Sequence, residues 1–210
     1  MANNQPPKDR PSESEIEISI FGPGFGECIL IHIGSGRWIV IDSCVDRIKG
    51  IPVCLRYFSE IAVDPCSVEL ILVTHWHDDH VSGIEDVVLA CSNARFWCPI
   101  SLRSTEFLEL LEIDLKRKDL RFTRGVKSLG RVFDHLRSSI NFALAGMRIF
   151  QSQLQFGTSI ANIEAWALSP SQAEHLLSLK NLGELTSSLI GAERAIPDRN
   201  PNHASAGWPC

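Results

Sequence analysis

The sequence contains no apolar run of about 18 residues, so no transmembrane helix is expected. It has no excess of positive charge: 20 Lys and Arg stand against 25 Asp and Glu, a net charge of −5. That balance gives no general grip on nucleic acid or on an anionic membrane surface. An anionic substrate stays open, because a bound cation would set the local field. The seven cysteines, at positions 28, 44, 54, 66, 91, 98 and 210, form no Cys-x-x-Cys pair. This spacing fits neither a zinc ribbon nor a disulfide framework. An odd number of thiols, mostly in apolar surroundings, reads as buried, reduced cysteine in a cytoplasmic protein. The leading segment 1–14 is polar and lacks the apolar core of a secretion signal, so it reads as a disordered leader. No Ser or Cys nucleophile with a matching His and acid stands out.

What is there suits one soluble domain. The 210 residues are 44% hydrophobic and 21% charged, enough for one real core and short for two. Residues 15–194 read as that domain, and 195–210, with three prolines and no period, as a loose tail.

The chain is organised around Thr74-His75-Trp76-His77-Asp78-Asp79-His80-Val81-Ser82-Gly83. The run Val68 to Val73 before it reads as a buried strand, and Ile84, Val87, Val88 and Cys91 after it mark a helix face. On a helix His75 and His77 would point about 200° apart, whereas on extended chain they face one side and can share an ion. A turn is then needed before His80, and Ser82-Gly83-Ile84-Glu85 resembles a capping box that would supply it. Imidazoles with a few carboxylates suit zinc, and also iron or manganese. Burying so many ionisable groups without a metal would be costly.

The order of elements around this loop is readable. Ile16 to Ile20 alternates as a half-buried strand, Gly22 to Gly26 breaks it, and Glu27 to Ile33 and Arg37 to Asp42 complete an antiparallel meander. A loop and short helix over Asp46 to Ala62 follow, limited by Pro52. Ala94 to Cys98 is a strand ended by Pro99. Helices are expected over 102–115 and 124–137, and strands at 147–150 and 161–168. Ser171 and Glu174 form a capping box for a last helix lined by Leu176, Leu177, Leu182, Leu185 and Leu189. His32, His135 and His175 read as ordinary surface. The basic residues Lys116, Arg117, Lys118, Arg121 and Arg124 read as a solvated surface, with a phosphate-friendly rim as the other reading.

Thr74 to Gly83 resembles the His-x-His-x-Asp-His signature of the metallo-β-lactamase-fold hydrolases. Gly24-Phe25-Gly26-Glu27 resembles the Gly-x-Gly-Asp turn of the competence-protein-like branch, with Glu27 for Asp. Ile41-Asp42-Ser43-Cys44 resembles the family's strand-end Asp motif, with Cys44 where Gly is common. The resemblance spans about residues 16 to 170 and implies an α/β fold, a four-layer αβ/βα sandwich with metals at one edge, of which mainly the N-terminal half is present. It implies two zinc ions, one on His75 and His77, the other on Asp79 and His80. Asp79 is also the candidate catalytic carboxylate. Asp78 falls on a variable position and takes no role. Asp42 braces the metal loop in relatives; a capping or turn residue is the alternative. The activity implied is a metal-activated hydroxide attacking an ester, phosphodiester or amide bond of a small-molecule or phosphodiester substrate.

In relatives the second half supplies an Asp that bridges both ions and a further His. Neither is found after Leu168, and His203 has no strand before it. A truncated chain, weak in catalysis and self-associating through an exposed sheet edge, is therefore expected. Three readings stay open: a metallo-hydrolase, a catalytically inactive remnant with weak metal binding, and an oxygen-reducing di-iron relative. The last normally needs an acidic ligand where this chain has His77.

Overall fold

The computed structural model describes residues 9–22, 26–46, 48–116, 124–156 and 159–194. Most of the expected leader, all of the tail, the loop residues Gly24 and Phe25, and the basic residues Arg117, Lys118 and Arg121 lie outside the described residues.

Three short strands form the opening meander: β1 (Ile16–Phe21), β2 (Cys28–Ile33) and β3 (Trp38–Ile41) pair antiparallel in that order. The direction then changes. β4 (Val68–Leu72), β5 (Arg95–Pro99) and β6 (Ile140–Ala143) add in parallel, giving a six-stranded sheet in the order β1-β2-β3-β4-β5-β6. Parallel neighbours require crossovers. These are α1 (Val53–Glu60), then α2 (Asp78–Val81) with α3 (Ile84–Ala90), then α4 (Thr105–Lys116) with α5 (Arg124–Leu136).

Side chains alternate across the sheet, so each strand serves two packing layers. Cys28, Leu30, Trp38, Val40, Ile71 and Phe96 are buried in one cluster with Phe58, Val87, Phe107 and Val132 of the helices. Ile33, Ile39 and Leu70 share the opposite face with Ile149 and Phe150. The last two belong to a separate hairpin, β7 (Arg148–Phe156) with β8 (Ser159–Trp166). Burial of one such aliphatic or aromatic side chain contributes about 1.5–3 kcal/mol. The hairpin leaves the outer end of that face bare: Ile16, Ile18 and Ile20 of β1 are exposed, Ile20 by 73%.

The last helix, α6 (Gln172–Arg194), lies against α4. Its start is the expected capping box: the Ser171 N–H donates to Glu174 Oε2 at 2.6 Å, and the Glu174 N–H to Ser171 Oγ at 3.2 Å. Leu182 is buried and Leu185 half-buried against the helical core, while Leu176 and Leu177 stay exposed. The Thr186 hydroxyl, also buried, contacts the Glu106 carbonyl of α4 at 3.2 Å.

The α/β class holds, with a helical layer, the six-stranded sheet and a two-stranded sheet on its far side. The expected four layers are not completed among the described residues, because α6 packs on α4 rather than outside the hairpin. Two local expectations need correction, and one strand lies outside the sequence reading. β6 was not foreseen. His32 is fully buried, stacked on Trp38 with ring centroids 4.9 Å apart, because its strand position faces the helical layer. Ser82 does not cap α3; its hydroxyl donates back to the Asp78 carbonyl and closes α2. The cap of α3 comes from another helix, where Ser128 Oγ accepts the Glu85 N–H at 3.0 Å. Among the described residues no helix is long and apolar enough to cross a membrane.

Candidate metal centre

The motif leaves the C-terminal end of β4, beside the strand pair where the sheet changes from antiparallel to parallel. The end of β3 lies next to it, so two adjacent strand ends supply the site, the usual place for a ligand in an open parallel sheet. After Val73 the chain runs without regular structure to His75, bends at Trp76 and His77, then makes a single turn of helix, α2, whose first two residues are Asp78 and Asp79. That turn brings His80 back over His75.

Asp42 is the anchor. It is 2% exposed, at the end of β3, with φ at +59°. Its Oδ1 accepts the Thr74 N–H at 2.7 Å, and its Oδ2 accepts the Thr74 hydroxyl at 2.6 Å. The same Oδ2 lies 2.8 Å from His80 Nδ1. Burial pushes the Asp42 carboxyl above its usual range, and the bonds from Thr74 and His80 pull it back. A left-handed conformation is uncommon for a side-chain-bearing residue, and Asp tolerates it better than most. With Nδ1 taken, His80 turns Nε2 outward, 3.6 Å from Asp79 Oδ2. Glu27, at the start of β2, also reaches His80: its Oε1 is 3.5 Å from Nδ1.

His75, Asp79 and His80 bring their donor atoms within 4.8 Å of one another. The rings of His75 and His80 are 3.7 Å apart between centroids. His77 stands edge-on to His75 at 5.0 Å, outside that three-residue group. The geometry gathers His75 with Asp79 and His80. Burial and the nearby His80 hold His75 below the ordinary imidazole value, which keeps its lone pair free. Two donors on one tetrahedral zinc, each about 2.1 Å away, stand about 3.4 Å apart. The His80–Asp79 separation of 3.6 Å matches that spacing and exceeds an ordinary hydrogen bond. The donor set thus fits a zinc-like ion. A second overlapping group contains Glu27, Asp42 and His80. Among the described residues, both groups draw only on positions 27 to 80.

Two hydrogen bonds, one to the backbone of the loop and one to a side chain, hold it from outside. The Glu27 N–H donates to the Asp79 carbonyl at 2.9 Å. Gly26 beside it has φ +89°, and a Cβ there would sit 2.7 Å from Cys44 Cβ and 2.8 Å from the Asp79 oxygen. Only glycine fits without displacing the loop. On the other side, Asp78 Oδ1 accepts the Gly125 N–H of α5 at 2.8 Å. Asp78, which the motif leaves variable, is here a tether. Neither contact is foreseeable from the motif, although the Gly-rich turn before Glu27 was a partial signal. Cys44 is 1% exposed, and burial pushes its thiol up to about 12, the opposite of the shift that activates a cysteine.

A cleft of about 490 Å³ opens beside His75 and His77. Thr74 and Trp76 form part of one wall, Ser101 and Leu102 beyond β5 another, and α6 the third. The sequence does not show this cleft, since it depends on where α6 docks.

Residues 21–146 match the model of the metallo-beta-lactamase superfamily, well over half of the chain, and the protein belongs to that superfamily. It is 26% identical over 118 residues to ribonuclease Z of Aeropyrum pernix, a stretch covering 51% of this chain and 36% of that relative. The chain thus aligns with little more than a third of the length of this curated relative. Among solved structures it is similar to one from Thermotoga maritima described as a metallo-beta-lactamase: 16% identity, TM-score 0.41, covering 86% of this chain and 92% of that one. The metallo-beta-lactamase SMB-1, in complex with mercaptoacetic acid, gives 13% identity and a TM-score of 0.39, covering 77% and 69% respectively. Membership of the superfamily supports a metallo-hydrolase kind of function.

Proposed function

We propose that this chain is a metal-dependent hydrolase that binds zinc through His75, Asp79 and His80, with His77 beside them for a second ion. The observation that carries the reading is the buried Asp42, which fixes His80 through Nδ1 so that Nε2 points at Asp79 and His75. A carboxylate behind a ligating imidazole sets its tautomer and raises its basicity. When bound, zinc supplies Lewis acidity that lowers the pKa of water toward neutrality. The residues of the chain do the rest. Asp42 holds the Nδ1 proton of His80, Thr74 locks the Asp42 carboxylate in place, and Asp79 supplies the carboxylate of the metal face, its Oδ2 3.6 Å from His80 Nε2. A phosphodiester enters as a substrate class because the Aeropyrum pernix relative is named a ribonuclease; ester and amide bonds are open to the same chemistry.

The second reading is a metal-binding protein without turnover. It is favoured by the ligand groups being confined, among the described residues, to positions 27 to 80. Among the described residues no Asp or His from beyond His80 joins them to bridge two ions. Metal content and turnover on purified protein separate the two. The hydrolase reading expects bound zinc, lost in His75→Ala and His80→Ala, together with zinc-dependent hydrolysis. Stoichiometric zinc with no hydrolysis selects the second reading, and equal zinc content in wild type and His75→Ala sinks both.

A further inference from the structure

The geometry points to an uncharged carboxylic ester with an apolar acyl chain as the substrate that the cleft beside the metal centre accepts. This deepens the hydrolase reading and rests on it for the chemistry. The cleft, at about 490 Å³, has the size of a small-molecule site rather than of a polymer groove. Leu102 forms part of its inner wall, and α6 contributes Leu177, Leu182 and Leu185. Ser178 and Asn181 on the same helix supply neutral hydrogen-bonding groups. Leu177 is 57% exposed, so its side chain is available to a ligand.

Charge decides between substrate classes. Among the described residues lining the cleft there is no Lys or Arg, and Glu174 is the lone carboxylate. A nucleic acid or other polyanion needs cationic contacts along its backbone beyond the reacting phosphate. Here such a ligand would meet leucines and a carboxylate, and would lose its hydration without replacement. An uncharged acyl chain loses little hydration and buries apolar surface against α6. The histidine face at the other wall places the carbonyl next to the metal-binding side chains. In the reaction, water adds to the carbonyl carbon, the acyl–oxygen bond breaks, and the products are an alcohol, a carboxylate and one proton.

The test uses the full chain loaded with zinc. Turnover of p-nitrophenyl acetate, butyrate and octanoate is compared with that of bis-p-nitrophenyl phosphate. The octanoate is expected to exceed the acetate in kcat/KM by about tenfold or more, in line with the discrimination an apolar pocket gives per few methylenes. Leu177→Arg places a cation on the wall at an exposed position and should bring that ratio close to one. Binding is measured separately on metal-free protein by calorimetry, with octanamide as the uncharged probe and diphenyl phosphate as the anionic one. Octanamide binding that weakens at least fivefold in Leu177→Arg supports the assignment, even if no substrate is turned over; that combination removes the hydrolase reading alone. A phosphodiester hydrolysed faster than every ester, or diphenyl phosphate binding where octanamide does not, overturns the assignment while leaving the hydrolase reading intact.

Discussion

Asp42 and His80 meet at 2.8 Å across 38 positions of sequence, the carboxylate from the end of one strand and the imidazole from the helical turn after the next. This contact orients the metal face, so its removal should act on metal affinity without removing a ligand. Asp42→Asn keeps the shape and tolerates the positive φ, but loses the charge. Zinc affinity is expected to fall about 10–100-fold. Asp42→Ala should lose as much affinity and also fold less stably, because alanine at a left-handed position costs about 1–2 kcal/mol more. Competition titrations with a chromogenic chelator, alongside thermal melts, check both. An unchanged affinity in Asp42→Asn would show that His80 is held by something else.

Gly26→Ala should damage the site through crowding. Gly50→Ala is the control, since Gly50 has a similar positive φ of +69° and nothing within 4 Å of a Cβ. The control is expected to lose about 1 kcal/mol from backbone strain. Gly26→Ala should lose about 1–3 kcal/mol more from overpacking, and zinc affinity with it, because the Asp79 carbonyl must move. Denaturant melts and zinc titrations of both variants would refute this if they behaved alike.

Asp78→Ala should loosen α5 from the metal loop. It removes the acceptor of the Gly125 N–H, a charge-assisted bond of about 1.5–3 kcal/mol. Hydrogen exchange at Gly125 and its neighbours should accelerate, while exchange in β2 stays as in wild type. Gly125→Ala is expected to be at least as harmful, since its Cβ would lie 2.5 Å from Asp78 Oδ1 and 3.0 Å from Asp78 Cα.

His32 should make stability depend on pH. Burial holds its pKa below the ordinary value, against opposing pulls from the Glu15 backbone and Glu17. The unfolded chain then takes up a proton at about pH 6.5 that the folded chain resists. The stabilisation is complete above that pH and declines as pH falls through it. His32→Phe should flatten the acid side of the stability profile between about pH 7 and 5. The comparison of melting temperatures at pH 8, 6.5 and 5 isolates His32 from the site histidines, which both proteins share. Parallel profiles would contradict the expectation.

What was legible was what is local. The ligand motif lies within ten residues, its strand is an apolar run, and the face Ile84, Val87, Val88 and Cys91 is buried as the period indicates. The meander and the Ser171–Glu174 cap follow from short-range turn and cap chemistry. β6 escaped because Ile140-Asn141-Phe142-Ala143 is only four residues long with no alternation; its register comes from β5. His32 looked polar and therefore exposed, but strand phase placed it inward. The tether from Asp78 to Gly125 spans 47 positions and leaves no trace in either segment alone. For Asp42 the sequence offers both a brace for the metal loop and a turn residue; its contacts to Thr74 and His80 depend on strand adjacency, which the sequence left open.

Among the described residues, the confinement of the ligand groups to positions 27 to 80 has a consequence for the order of biosynthesis. Those residues leave the ribosome before α4, α5 and α6 have been made, and strands β1 to β4 are adjacent both in sequence and in the sheet. An ion that binds only the paired form favours that form by mass action. On the proposed reading, an ion bound there would act on the nascent chain as a folding ligand, favouring the pairing of the first four strands. Among the described elements α6 would then be the last to dock, after α5 has tied itself to the loop through Asp78.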